Sequence, residues 1–411
     1  MIIAGIYQLL SNSNQFTLIQ KKFLLLQQII NKIETFLNRI SSYNAYKYFF
    51  YPSNFTITTI LFSLILSFSC STTPKNIKLP EPVFSKDCTH NKYFIKDLCN
   101  DELKYLDWAE NYQDYPSVKD LTNEKLRLVS NKYGIDEAAA LLYSRILRDP
   151  KNLNLYQYIE KQKPLLEKKI PDLSQKNLSL VFIPGLFYEK NKEFDSEGFA
   201  LRKLAESLGY KTKMIRIKQT GSVYENADII CTYLNQTTAE KVIFTTLSKG
   251  ASDLKIAISL CGKEPYFQKV VGWFNIVGLV KGSPLANSVE EHWYSSFFWR
   301  MYAKWNNYDY KGLLTIQTGP STPLDIELNL PTQIKLINVL AIPIRRTVSE
   351  RAMPYYDEMA VLGPNDGMGV LADMYVPFGY TYASWRNDHY FFQPMSEQLI
   401  LSLLIFMAEG K

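Results

Sequence analysis

Histidine is scarce in this chain, with 3 in 411 residues, and cysteine is nearly so, with 5. No cysteine or histidine group has metal-ligand spacing, which argues against a structural zinc site. A strong charge of either sign is missing as well: 46 basic residues against 40 acidic ones leave only +6. That field is too mild to imply nucleic acid, and no basic block interleaved with aromatics stands out. No cofactor motif is present. A charged fraction of 21% beside a hydrophobic fraction of 46% excludes a wholly disordered chain, a collagen-like repeat and a disulfide-held miniprotein. Aromatic residues are abundant: 28 Tyr and 23 Phe bring them to 14%, which calls for large apolar surfaces or an apolar pocket.

The chain is long for one domain, and its first hundred residues read differently from the rest. Phe55–Ser69 is an uncharged apolar run that ends at Cys70. It falls short of the ~20 residues of a bilayer span and suits the apolar core of a secretory signal. A polar, proline-containing stretch follows, as a flexible tether would. This succession resembles a bacterial lipoprotein signal, in which Cys70 becomes the lipid-modified first residue of the mature chain. The resemblance implies an exported, membrane-anchored protein. The other explanation is an ordinary signal or anchor helix with an incidental cysteine. Upstream, Ile19, Phe23, Leu26, Ile30, Ile33, Leu37 and Ile40 make one apolar helical stripe with basic residues elsewhere. That fits either a membrane-surface helix or a stretch upstream of the true start. With Cys70 lipidated, four cysteines remain for pairing. Cys88 and Cys99 are close enough in sequence to close a small loop, whereas Cys231 and Cys261 fall in predicted helices, where geometry decides.

The chain therefore divides into an uncertain extension (1–53), the signal-like segment (54–70), a tether with a small cysteine loop (71–100), a helical preamble (101–175) and a larger domain (176–411). In the preamble, Asp136 is the predicted cap of EAAALLYSRILR, and Pro150 restarts a second helix. From Leu178 the texture changes. LSLVFIPG, TKMIRI, KVIFTTL, VVGWFNIVG and IKLINVLAIP read as strands separated by helical segments, and GLLTIQTG is a further apolar run. This predicts an α/β fold with a mostly parallel central sheet flanked by helices, whose site lies at the carboxyl ends of the strands.

Chemistry concentrates in four loops. TLSKGA, after KVIFTTL, places Ser248 at a strand-to-helix turn with small neighbours Gly250 and Ala251. An N-capping serine is the ordinary explanation of such a turn. PGLF closes the first strand, and its Leu186 amide, with that of Lys249, is placed to stabilise an oxyanion. GPNDGM carries Asp366, and RNDHYF carries His389. A serine hydroxyl attacks well only when an imidazole takes its proton, and the imidazole needs a carboxylate to fix its tautomer. Of the three histidines, only His389 follows both a serine and an acid of this kind. Asp388 is a poor orienter of its own neighbour and suits a turn cap.

VFIPGLF, TLSKGA, GPNDGM and NDHYFF together resemble the oxyanion loop, nucleophile elbow, acid loop and histidine loop of α/β-hydrolases of the lipase/esterase type. GSPLA (282–286) resembles a stretch found after the next strand in bacterial lipases. Thr246 departs from the family's glycine at the elbow. The resemblance implies a serine hydrolase acting on carboxylic esters through Ser248, His389 and Asp366, with no metal or cofactor. An aromatic cap at about 283–311, running from Trp293 to Tyr310, favours an apolar acyl ester substrate over a sugar. Arg345, Arg346 and Arg351 are available for an anionic head group or for solvent. The rival readings are an inactive surface lipoprotein that binds apolar ligands and an acyltransferase using the same triad.

Overall fold

The computed structural model describes residues 88–89, 95, 98–191, 195–391 and 393–409. The apolar run Phe55–Ser69, Cys70, the stripe within 1–53 and His90 lie outside the described residues. Among the described residues no helix is long and apolar enough to cross a membrane.

Six strands form one wholly parallel sheet: β1 (Leu178–Ile183), β2 (Lys211–Met214), β3 (Lys241–Leu247), β4 (Val270–Ile276), β5 (Lys335–Ile342) and β6 (Tyr380–Trp385), in the order β2-β1-β3-β4-β5-β6. The four interior apolar runs, β1, β3, β4 and β5, are strands because both of their faces are covered, as parallel sheets require. In β1, Leu178 and Leu180 face one core while Val181 and Ile183 face the other. In β3, Ile243 faces the first core, and Val242 and Phe244 face the second. The first core is closed by α1 (Asn100–Asn111), α2 (Asn123–Tyr133), α3 (Ile135–Arg148), α4 (Pro150–Leu166), α5 (Phe199–Ser207) and α13 (Glu397–Ala408). The second is closed by α6 (Val223–Gln236) and α7 (Lys249–Cys261). Cys231 on α6 and Cys261 on α7 form a disulfide, so the two helices present their cysteines to one another. Cys99 is also disulfide-bonded, and it faces Cys88 across a two-residue antiparallel ladder.

Between β4 and β5 come α8 (Pro284–Glu291), α9 (Trp293–Trp305) and α10 (Tyr310–Leu314). Between β5 and β6 come α11 (Met353–Met359) and α12 (Leu371–Met374). GLLTIQTG is therefore not a strand. Its first half is α10, and Leu313 and Ile316 are buried as loop anchors, with the Ile316 carbonyl accepting from the Ser283 amide at 2.8 Å.

β6 has no counterpart among the predicted strands. It is the edge strand, and the preamble covers that edge: the Thr381 amide donates to Asn152 Oδ1 at 2.7 Å and the Ala383 amide to the Tyr156 hydroxyl at 2.8 Å. Asn152 and Tyr156 stand one helical turn apart on α4, which matches the alternate outward amides of a strand. Asp136 also differs from expectation. α3 begins at Ile135 after Gly134, whose φ of 132° is a glycine conformation, and buried Asp136 accepts instead from the Arg345 amide at 2.7 Å.

Candidate active site

β3 ends at Leu247 and α7 begins at Lys249, leaving Ser248 alone to make the turn with φ 53° and ψ −120°. A side chain is strained there and persists only where its surroundings hold it. Its amide donates to Ile276 and its carbonyl accepts from Leu279 and Ala251, each at 3.1 Å. The hydroxyl makes no capping bond to α7. It lies instead 2.8 Å from His389 Nε2. The small neighbours are sterically required: a Cβ on Gly250 would stand 2.5 Å from the Ile183 carbonyl oxygen. A Cβ on Gly185 would stand 3.1 Å from that of Ser248. The PGLF loop thus touches the turn, and Leu186 comes directly after that glycine. Lys249 opens α7, where a backbone amide has no partner within the helix.

His389 Nδ1 lies 2.7 Å from Asp366 Oδ2. The other oxygen of Asp366 accepts from the Met368 and Gly369 amides at 2.9 and 2.8 Å. Oδ2 is thus left to face Nδ1, an arrangement that suits the tautomer with its proton on Nδ1 and a lone pair on Nε2 toward the serine. Asp366 is fully buried and the His389 amide bonds back to its carbonyl at 2.9 Å, so the acid and histidine loops form one unit. Gly367 has φ 91°, and a Cβ there would meet Ala352 at 2.8 Å. Asp388 caps its own loop by accepting from the Tyr390 amide at 2.9 Å, and ties it to the loop after β5 by accepting from the Ser349 amide at 2.7 Å.

A serine after β3, an acid after β5 and a histidine after β6 converge at the carboxyl ends of one parallel sheet. The fold is that of the α/β-hydrolases. No protein-family model matches the chain, and no curated protein does. Among solved structures, the hydrolase fold is similar to the metagenomic carboxyl esterase MGS0156, at 23% identity over 58% of this chain and 77% of that one, with a TM-score of 0.43. It is similar to the mature Bacillus licheniformis lipase BlEst2 at 19% identity over 58% of this chain and 91% of that one, TM-score 0.43. The Bacillus subtilis carboxylesterase CesB aligns at 12% identity over 64% and 99%, TM-score 0.29. The strand order, with the loops that β3, β5 and β6 carry at their carboxyl ends, defines the hydrolase fold here.

Several side chains around this centre have roles that the sequence analysis did not assign. Thr246 belongs to a buried polar row running across the sheet. It accepts from the Trp273 indole and donates to Asn275 Oδ1, both at 2.8 Å, and Asn275 donates in turn to Asn338 at 2.6 Å. These residues share one register line, Thr246 beside Asn275 beside Asn338, so the side chain that departs from the family's glycine is fully partnered. The Lys249 ammonium is buried and pairs with Asp253 at 2.6 Å, and Asn226 donates to the same carboxylate at 3.0 Å. Burial pushes Asp253 up to about 6 against the pull of Lys249 and Asn226. Their spacing of four on a helix was the available clue.

Arg345 and Arg346 are held in ion pairs, and Arg351 is exposed. Arg345 pairs with Asp357, Arg346 with Asp101 and Glu102 at 2.7 and 2.8 Å, and Arg351 donates to Asn191 at 2.7 Å. Glu102 is the hub of this region: it also takes the Trp385 indole at 3.0 Å and Arg386 Nε at 2.7 Å. Burial alone would raise its carboxyl, but Arg386, the Cys99 amide and Arg346 hold it below the usual range. Arg386 has φ 69° and lies three residues before His389, so the preamble steadies the histidine loop. Cys99, Asp101 and Glu102 converge as the described residues' one group of potential metal ligands. The disulfide at Cys99 and the two arginines occupy them.

Proposed function

We propose that the protein is a serine hydrolase of carboxylic esters with apolar acyl groups, exported and held at a membrane through Cys70. The observation that carries the reading is the unbroken chain from Ser248 Oγ to His389 Nε2 at 2.8 Å and from His389 Nδ1 to Asp366 at 2.7 Å. In this mechanism Ser248 Oγ bonds to the ester carbonyl carbon while its proton passes to His389 Nε2. Asp366 keeps the imidazole in register and balances its charge. The carbonyl oxygen becomes an oxyanion held by the Leu186 and Lys249 amides. Collapse breaks the ester bond, and His389 returns the proton to the departing alcohol. A water molecule, deprotonated by His389, then releases the acid and restores the serine.

Two features favour turnover over a purely binding role. The strained conformation of Ser248 exposes its hydroxyl to His389 instead of capping α7, and Thr246 is satisfied inside the sheet. A fluorophosphonate probe should label the wild-type chain and leave Ser248→Ala unlabelled at equal folded content. An unlabelled wild-type chain, or a labelled mutant, overturns the reading. Product analysis with a competing alcohol separates hydrolysis from acyl transfer.

A further inference from the structure

Lys249 is the first residue of α7 and is only 1% exposed, a burial that lysine accepts only when paired. Its partner Asp253 stands one helical turn on and is fully buried too. Stability does not account for this pair. A buried ion pair often stabilises no better than apolar side chains of the same volume. A cation in the first turn with an anion behind it also runs against the helix dipole. What the pair holds is position. Asp253 accepts from the Asn226 side chain at 3.0 Å, and Asn226 clasps the Lys218 backbone, accepting from its amide at 3.0 Å and donating to its carbonyl at 3.1 Å. The start of α7 is thereby tied to the loop between β2 and α6. That first turn is also pressed against the end of β1, since a Cβ on Gly250 would stand 2.5 Å from the Ile183 carbonyl oxygen and 2.7 Å from that of Pro184. The loop after β2 grips the oxyanion loop as well. The Tyr188 hydroxyl donates to the Ile217 carbonyl at 3.0 Å, and Gln219 donates to Glu189 at 3.2 Å.

We infer that residues 217–219 are the common anchor of the two oxyanion donors, with Lys249 and Tyr188 as positioning residues of the reaction. The inference rests on the ester-hydrolase reading, because only there do the Leu186 and Lys249 amides have an oxyanion to meet. Two donors help only when both aim at one atom, and these two come from loops that follow different strands, β1 and β3. Their relative placement is set by what both loops are fastened to. Ile217 fixes the Leu186 side through Tyr188, and Lys218 fixes the Lys249 side through Asn226 and Asp253. The charge on the ammonium suits this task, since a charge-assisted hydrogen bond is shorter and stronger than a neutral one. Both side chains are buried in the body and act through the backbone amides beside them.

The test measures kcat and KM of the full chain for p-nitrophenyl butyrate, with urea midpoints taken alongside. Lys249→Met should lower kcat on the order of 10²-fold and leave KM within about twofold, because a displaced donor fails the oxyanion and not the bound ester. Tyr188→Phe should show the same split with a loss of about tenfold in kcat. Lys249→Met combined with Asp253→Asn leaves no charge buried alone and keeps the acceptor for Asn226, so it should fold even where the single variant does not. This double variant should still show the loss in kcat. Recovery of kcat together with stability would make the pair merely structural and overturn the proposal. An unchanged kcat in Lys249→Met or in Tyr188→Phe would overturn it as well, as would a loss confined to KM. A wild-type chain that neither turns over the ester nor takes the fluorophosphonate label refutes the hydrolase reading itself. Failure of the anchor alone leaves the wild type active and labelled, so the two failures are told apart.

Discussion

Replacing Ser248 with glycine should make the protein more stable while abolishing its chemistry. At φ 53° and ψ −120° a residue with a Cβ is held in a region that costs on the order of 1–3 kcal/mol, whereas glycine enters it freely. Glycine loses about 0.4–1 kcal/mol of that gain through the extra freedom of its unfolded chain. Alanine is the control, since Ser248→Ala removes the hydroxyl and its bond to His389 but keeps the Cβ and its strain. The Gly variant should therefore exceed the Ala variant by about 1 kcal/mol, which for a chain of this size raises the melting temperature by roughly 2 °C or somewhat more. Urea unfolding followed by tryptophan fluorescence measures the difference directly. If Ser248→Gly is no more stable than Ser248→Ala, the turn is not strained and its exposure of the hydroxyl needs another cause.

The other expectations are as specific. Asp366→Asn should keep the fold and lower kcat by roughly 10⁴-fold, because an amide no longer selects the imidazole tautomer; a loss under tenfold would remove Asp366 from the mechanism. Removing the Cys231–Cys261 bridge, which closes a loop of sequence separation 30, should cost about 3.5 kcal/mol by chain entropy, read as the urea midpoint of the double serine variant. Burial raises Asp136 from 3.8 to about 6, against the Arg345 amide that lowers it. The folded state therefore binds this proton more tightly than the unfolded chain does. Its stability is highest below the unfolded value and falls by roughly 3 kcal/mol as pH rises through that window. Asp136→Asn, which keeps the acceptor for Arg345, should abolish that step in paired melts at about pH 4 and pH 7. An unchanged pH profile would show Asp136 ionised throughout.

The legible parts of the sequence were those in which one residue type answers to one local demand. β1, β3 and β5 announced themselves because strands covered on both faces must be apolar throughout. Ser248, Asp366 and His389 were legible because serine needs an imidazole, and only one of the three histidines followed both partners. β6 escaped because YTYASW mixes polar and apolar side chains, and its edge is completed by Asn152 and Tyr156 from more than two hundred residues upstream. The pairing of Arg346 was hidden for the same reason: Asp101 and Glu102, far away in sequence, claim it. Thr246 looked like a defect at the elbow because its partners, Trp273 and Asn275, become neighbours only when β4 pairs with β3.

The seal that α4 places on β6 sets a limit on how the protein can be trimmed. A fragment starting at the hydrolase texture near residue 176 would retain Ser248, Asp366 and His389. It would also leave a bare row of backbone donors and acceptors along a tyrosine-rich strand, the kind of rim that recruits other chains into aggregates. Recombinant production should therefore begin ahead of Cys99. Insolubility of shorter pieces would reflect an unsealed sheet, with no bearing on whether the triad is sound.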